Sequence, residues 1–350
     1  MGPRVRPARL AEAVVGLDDA APDERTLRQR MLEAIAPVVP FDHFAFVLTD
    51  PETTVGVSPL AQVPDLATLP RLIRLKYLSA GGRWTTLADT GCTTLATVRH
   101  DPDGGGAWAD ALTETGVTDV LLAVLRDRHG TWAFLDLWRQ GGTFRADEVA
   151  AVTAALPALT GQLRTAVGRA FVAGPTPTSP AHQGAGVLLL TDELVPVAGT
   201  PALDTWLATL LPPTADAGPV PASAFNAGAQ LLAVEAGVDD HRPSGRIAVA
   251  PGTWLTVSAE RLSQPAMAAS IAVSYGIASA SDRLDVFVRA HGLSAREGDV
   301  VRAVATGADT RGAGRLLGIT ELTVQDHLKS VFARTGAASR ADLLARALGT

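Results

Sequence analysis

Residues 293–340 read LSAREGDVVRAVATGADTRGAGRLLGITELTVQDHLKSVFARTGAASR, and no other stretch restricts the fold as tightly. Ser294 with Glu297 forms a capping box, after which Val300, Val301 and Val304 recur at helical spacing until Gly307 ends the run. Asp309 caps a second, short helix that reaches Leu317. Gly318 and Ile319 then make a tight turn, and Thr320 caps a third helix running to Thr335. Ser339 with Asp342 opens a fourth, whose Leu343, Leu344 and Leu348 repeat on one face. A short helix, a glycine turn and a longer helix make a helix-turn-helix, whose second member enters the DNA major groove. Spacing alone leaves a plain helical bundle as an equal alternative.

The residues themselves go further. Leu293-Ser294-x-Arg296-Glu297, the Val300-Val301 pair, Gly307, Leu317-Gly318-Ile319-Thr320, Thr323-Val324-x-x-His327-Leu328-Lys329, Val331-Phe332 and Gly336-x-x-Ser339-Arg340 together resemble the C-terminal DNA-binding domain of LuxR-type transcriptional regulators. The likeness covers about the last sixty residues, one small domain. On the third helix Val324, Leu328 and Val331 fall at i, i+4 and i+7 and face the core, leaving Glu321, Leu322, Gln325, Asp326 and Lys329 outside. The resemblance implies that Gln325, Asp326 and Lys329 read base edges. Gln pairs with adenine N6 and N7, Asp accepts from cytosine N4, and Lys reaches guanine O6 or N7. Thr320, Thr323, Arg311, Arg315 and Arg334 are candidates for phosphate contacts, or else serve as a solvated polar face or cap. His327 is expected to be structural. Gly312-Ala313-Gly314 stands where the family carries Glu-Ile-Ala, and Gly298 adds a glycine to the first helix. Each glycine costs about 1 kcal/mol against alanine, so the second helix is expected to be the weak part of the domain.

Charge looks wrong for a DNA binder until it is divided. The chain carries −6, while residues 291–350 hold eight basic and six acidic side chains, or +2, which leaves −8 for the rest. A weakly basic reader on an acidic body should bind DNA modestly and with steep salt dependence, and pairing two half-sites in a homodimer is the usual remedy. The leucines of the fourth helix either form that dimer interface or close the domain's own core. Only two lysines occur, Lys76 and Lys329. Neither lies in a phosphate-cradling GxxxxGK[ST] loop. Thr191-Asp192-Glu193 has no following lysine before Lys329, which argues against a phosphorylated receiver domain. The single cysteine, Cys92, offers neither a disulfide nor a metal cluster. No GxSxG, HExxH or cysteine pair is present, so no catalytic residue, metal or cofactor is expected. No apolar run reaches membrane-spanning length and the N-terminus lacks a signal-peptide core, so a cytoplasmic protein without membrane contact is expected.

Upstream, residues 1–22 read as a loose helix or a disordered segment. Residues 23–171 form an α+β unit with one antiparallel sheet. It holds an amphipathic helix carrying Leu27, Met31, Leu32 and Ile35, a buried strand at Phe44–Leu48 and a helix at Leu69–Tyr77. A hairpin follows, of strands Asp119–Arg126 and Thr131–Trp138, and a long helix from Ala146 in which Pro157 should introduce a kink. That order resembles a GAF domain, a small-molecule sensing and dimerisation module. Residues 172–185 are a linker by their Pro, Gly, Ser and Thr content. Residues 186–277 give two strands, helices and then three strands, which resembles a PAS domain.

Trp132, Asp136 and Trp138 alternate onto one face of a strand, and Trp206, Phe225 and Trp254 lie in the second unit; these are the candidate effector-pocket residues. The alternatives are core aromatics for the rings, and for Asp136 a partner arginine or a wet edge. Residues 278–290 form a short connecting helix, striped by Leu284, Phe287 and Val288, that runs into the domain at 291–350, whose helix-turn-helix spans 310–329. The reading is therefore a multidomain chain: two α+β sensor-like units followed by an all-α four-helix LuxR-type domain. Its function is expected to be non-enzymatic, sequence-specific transcription regulation on double-stranded DNA, controlled by a small-molecule or protein effector upstream. The alternative is a signalling or interaction scaffold with a weakened helix-turn-helix.

Overall fold

The computed structural model describes residues 7–18, 21–79, 81–87, 91–99, 106–172, 184–210, 221–263 and 269–349. Most of the linker and the Pro-rich loop after Leu210 lie outside the described residues. The first unit runs α1 (Pro7–Ala13), α2 (Glu24–Ile35), β1 (His43–Thr49), β2 (Gly56–Gln62), α3 (Leu69–Leu78), β3 (Cys92–Thr94), α4 (Leu95–Val98), α5 (Gly106–Glu114), β4 (Asp119–Asp127), β5 (Gly130–Arg139) and α6 (Ala146–Arg169). Its antiparallel sheet has the order β2-β1-β5-β4-β3. β4 reads as an unbroken apolar run because both its faces are covered: Leu121, Ala123 and Leu125 join the main core, while Val120 and Leu122 face Trp108 and Leu112 of α5. β2 sits at the sheet edge, which is where its Pro59 is tolerated in a strand. α1 packs on α6, burying Leu10 and Val14. α6 is one continuous helix through Pro157.

The second unit comprises β6 (Gly186–Leu190), β7 (Pro196–Gly199), α7 (Pro201–Leu210), α8 (Ala222–Glu235), β8 (Ser244–Ala250), β9 (Thr253–Arg261) and β10 (Ile271–Ile277). Its sheet, β7-β6-β10-β9-β8, repeats the strand order of the first. α8 packs against β9 and β10 of its own sheet and also against α3 and β2 of the first unit. Squeezed on both sides, it is buried from Ser223 to Ala233, which is why its sequence is small and apolar rather than amphipathic.

Ions seal the seam. Asp50, wholly buried, accepts from the Arg246 guanidinium at 2.5 and 2.6 Å and from the Arg246 backbone N–H at 2.9 Å. Arg83 donates to Asp239 at 2.5 Å and to the Val238 carbonyl at 2.7 Å. These contacts join the two sheet units through one extended core.

A connecting helix, α9 (Ala280–Ala290), opens on a Ser279–Asp282 capping box. Phe287 meets the Phe171 ring edge-on at 5.3 Å, and Phe171 stacks on Trp254 at 4.5 Å, so the end of the first unit, the second sheet and the connector share one aromatic contact. The C-terminal region follows as α10 (Ala295–Ala305), α11 (Thr310–Leu317), α12 (Glu321–Thr335) and α13 (Arg340–Leu348). α13 packs on α9 with Leu343 and Ala347 buried and Leu344 and Leu348 half-buried, and Arg283 of α9 donates to the Arg346 carbonyl at 3.0 Å. Within the chain those leucines pack on the connector rather than only on the core of their own domain.

Candidate nucleic-acid interface

The N-terminal ends of α11 and α12 are each fixed by a side-chain cap. Asp309 accepts from the Gly312 N–H at 2.6 Å, and Thr320 accepts from the Thr323 N–H at 3.1 Å. Gly318, at φ 66°, takes the left-handed turn between the helices, and Gly336, at φ 65°, ends α12. One glycine of α11 has a steric reason as well. A Cβ on Gly314 would stand 2.9 Å from the Ile319 carbonyl oxygen, so the turn folds back over a helix face that tolerates no side chain. Gly298 is similar, with a Cβ position 3.0 Å from a Val288 methyl on the connector.

The burial of α12 alternates as its period requires. Val324, Leu328 and Val331 are buried, whereas Glu321, Leu322, Gln325, Asp326 and Lys329 are exposed with the whole chain present. Among the described residues, the body therefore leaves this face open. Lys329 pairs with Asp326 at 3.3 Å on the helix surface. Two base-reading candidates thus neutralise one another in the free chain, in a pair that water screens. Arg311, Arg315 and Thr320 are exposed nearby in the chain, and the Thr320 and Thr323 hydroxyls share a 2.8 Å hydrogen bond.

Arg334 is placed apart from these, on the last turn of α12. It donates to the Gly292 carbonyl at 3.3 Å and lies 3.6 Å from Glu297. It borders a cavity of about 400 Å³ between α6, the end of α9 and the α12–α13 corner, together with Arg164 and Arg346. Arg164 donates to the Ala290 carbonyl and Arg346 to the Thr335 carbonyl, each at 3.3 Å. These cations stand at helix C-termini, where unpaired carbonyls attract them. His291 lies among them; burial, reinforced by the Arg346 charge, pushes its imidazole down to about 4.

The candidate effector-pocket residues do not converge. Trp132 donates to Asp127 at 3.0 Å, Trp206 donates to the Gly184 carbonyl at 3.3 Å, and Trp254 stacks on Phe171. Asp136 and Trp138 do border one apolar pocket between the first sheet and α3, with Trp84, Trp108, Lys76 and, from α8, Asn226. Its floor is already filled. Lys76, 2 % exposed, donates to Asp136 at 2.7 Å and stands 3.9 Å from the Trp108 ring and 4.8 Å from Trp84. Trp84 also donates to Asp136 at 3.4 Å. The partner of Asp136 is thus a lysine, not an arginine. Burial pulls the Lys76 ammonium below its ordinary value and the carboxylate opposes that pull. The sequence had marked Lys76 only as one of two lysines and had not placed it, Trp84 or Trp108 at a pocket; the available signal was a lysine beside the apolar positions of the helix LPRLIRLKYL.

Among the described residues, Asp239, Asp240 and His241 bring ligand-type atoms within 4.8 Å of one another, but Asp239 is already engaged by Arg83 and by His241 at 2.6 Å. No described helix is long and apolar enough to cross a membrane.

Residues 291–347, the whole of α10 to α12 and nearly all of α13, match the family described as "Bacterial regulatory proteins, luxR family". The C-terminal region is therefore a luxR-family regulatory domain with its helix-turn-helix at α11 and α12. No curated protein matches the chain. Among solved structures, a crystal structure of Escherichia coli SdiA is similar at 12% identity, covering 97% of this chain and 96% of that one with a TM-score of 0.33, too low to fix either arrangement or function.

Proposed function

We propose that this chain is a sequence-specific DNA-binding transcription regulator whose upstream units sense an effector. The observation that carries the reading is the open face of α12: Gln325, Asp326 and Lys329 are exposed, opposite the buried Val324, Leu328 and Val331, and no described residue of the body covers them. Gln325 is assigned to an adenine, Asp326 to a cytosine amino group and Lys329 to a guanine. Thr320, Thr323, Arg311 and Arg315 are assigned to phosphates, which set register. Arg334 belongs to that set only if it leaves the Gly292 carbonyl. The reader's small positive charge favours a homodimer on paired half-sites.

The scaffold alternative drew on three glycines, Gly298, Gly312 and Gly314, as signs of decay. Close packing of Gly314 under the turn carbonyl gives that residue a positive reason to be there, which takes one of the three glycines away from the alternative. The shared strand order of the two sheets supports reading both as sensor-like modules, GAF-like and then PAS-like, and the apolar pocket bordered by Trp138, above the floor that Lys76 and Asp136 fill, is the candidate effector contact of the first. Selection of duplexes by the full-length protein, followed by anisotropy titration over a range of salt, tests the main reading. A steep salt slope and a selected sequence are expected, and Gln325→Ala should relax one base position by about 1–3 kcal/mol. Equal affinity for all duplexes would overturn it.

A further inference from the structure

The outer stripe of α12 includes one side chain that cannot hydrogen-bond. Leu322 precedes Gln325, Asp326 and Lys329 by three, four and seven residues, which places all four on one face, and it is 65 % exposed. Helix stability does not explain it. Leu322 is the second residue of α12, where the positive end of the helix dipole favours an acid, and capping is already done by Thr320. Core packing does not explain it either, since the buried side of α12 is Val324, Leu328 and Val331. Single exposed leucines are ordinary on protein surfaces. This one stands on the base-reading stripe, at the helix end that helix-turn-helix proteins direct toward base edges.

We propose that Leu322 reads the 5-methyl group of a thymine next to the adenine taken by Gln325, adding an apolar element to the specificity; this rests on the DNA-reading assignment above. Three residues of helix rise about 4.5 Å, and base pairs follow one another at about 3.4 Å, so side chains at this spacing meet bases about one step apart. Thymine alone presents a methyl group in the major groove. A cytosine at the same place presents an amino donor, which leucine would strip of water without accepting its hydrogen bond. The contact covers a side chain that the free protein leaves in solvent, so the methyl adds affinity by burial alone.

Deoxyuridine, which differs from thymidine only by that methyl, supplies the test. In the duplex selected by the full-length protein, each thymine is replaced in turn and affinity is measured by anisotropy. Wild type should lose about four-fold at one thymine adjacent to the Gln325 adenine, the value of one buried methyl-sized group. Leu322→Ala should bind thymine and uracil equally at that position and keep the adenine preference next to it. A sequence preference that Gln325→Ala relaxes, with no thymine within two base pairs responding to the methyl, removes this inference and leaves the DNA-reading assignment standing. A Leu322→Ala protein that retains the methyl preference removes it too. If the protein selects no sequence, the assignment itself falls and this inference with it.

Discussion

The chain's two lysines occupy opposite settings. Lys76 is sealed under α3 against Asp136 at 2.7 Å, with both side chains 4 % exposed or less; Lys329 meets Asp326 at 3.3 Å with side chains 76 % and 64 % exposed. The pairs are chemically alike and physically different. Away from water, a charge that loses its partner has nowhere to turn, so the first pair fixes the packing of α3 on its sheet. In water the second pair is weak and exchangeable, which suits the base-edge contacts proposed for the two groups. Of these two pairs, the one in the body acts as structure and the one on α12 stays available.

The largest effect that would break this comparison is at the buried pair. Lys76→Met keeps the volume and leaves the Asp136 carboxylate with Trp84 as its nearest remaining donor, so urea unfolding should show a loss of about 3–5 kcal/mol. A loss below about 1 kcal/mol would mean that water reaches the site and that the two lysines are not so different.

The junction between body and reader sharpens the comparison by pH. His291 faces Arg346, Arg164 and the Arg334 backbone, and its imidazole is pushed down to about 4 from 6.5. The unfolded chain takes up that proton first as pH falls. The contribution of His291 is thus complete above about pH 6.5 and is lost progressively toward pH 4, by roughly 2–3 kcal/mol once its partial exposure is allowed for. Stability curves of wild type and His291→Gln should diverge across that window and run parallel above it. Parallel curves throughout would show that the junction admits solvent as freely as the reading face.

The smallest effect on stability belongs to the exposed pair. Lys329→Ala should change unfolding by no more than about 0.5 kcal/mol while it weakens discrimination at one guanine by about 1–3 kcal/mol. Thermal melts and duplex titrations on the same protein give both values, and a large stability loss with unchanged base preference would reverse the roles assigned to the two lysines.

Some of this was legible in residues alone. The capping pairs Ser294–Glu297 and Ser339–Asp342, the caps Asp309 and Thr320, and Gly318 act within a few positions of one another, and every helix of the reader begins where they indicate. The outward placement of Gln325, Asp326 and Lys329 followed from the period of Val324, Leu328 and Val331, again a local property. In the body, β2 was hidden by its glycine, proline and polar residues, and β3 has only three residues.

What only the tertiary structure decided is which distant groups meet. The partner of Asp136 lies sixty positions earlier. α8 is buried because two sheets close on it, and the leucines of α13 pack on the connector. Helix caps and apolar periods are written in neighbouring residues because the hydrogen bonds they satisfy span three or four positions. Long-range pairing depends instead on how faces stack once the elements exist, and no spacing along the chain encodes it.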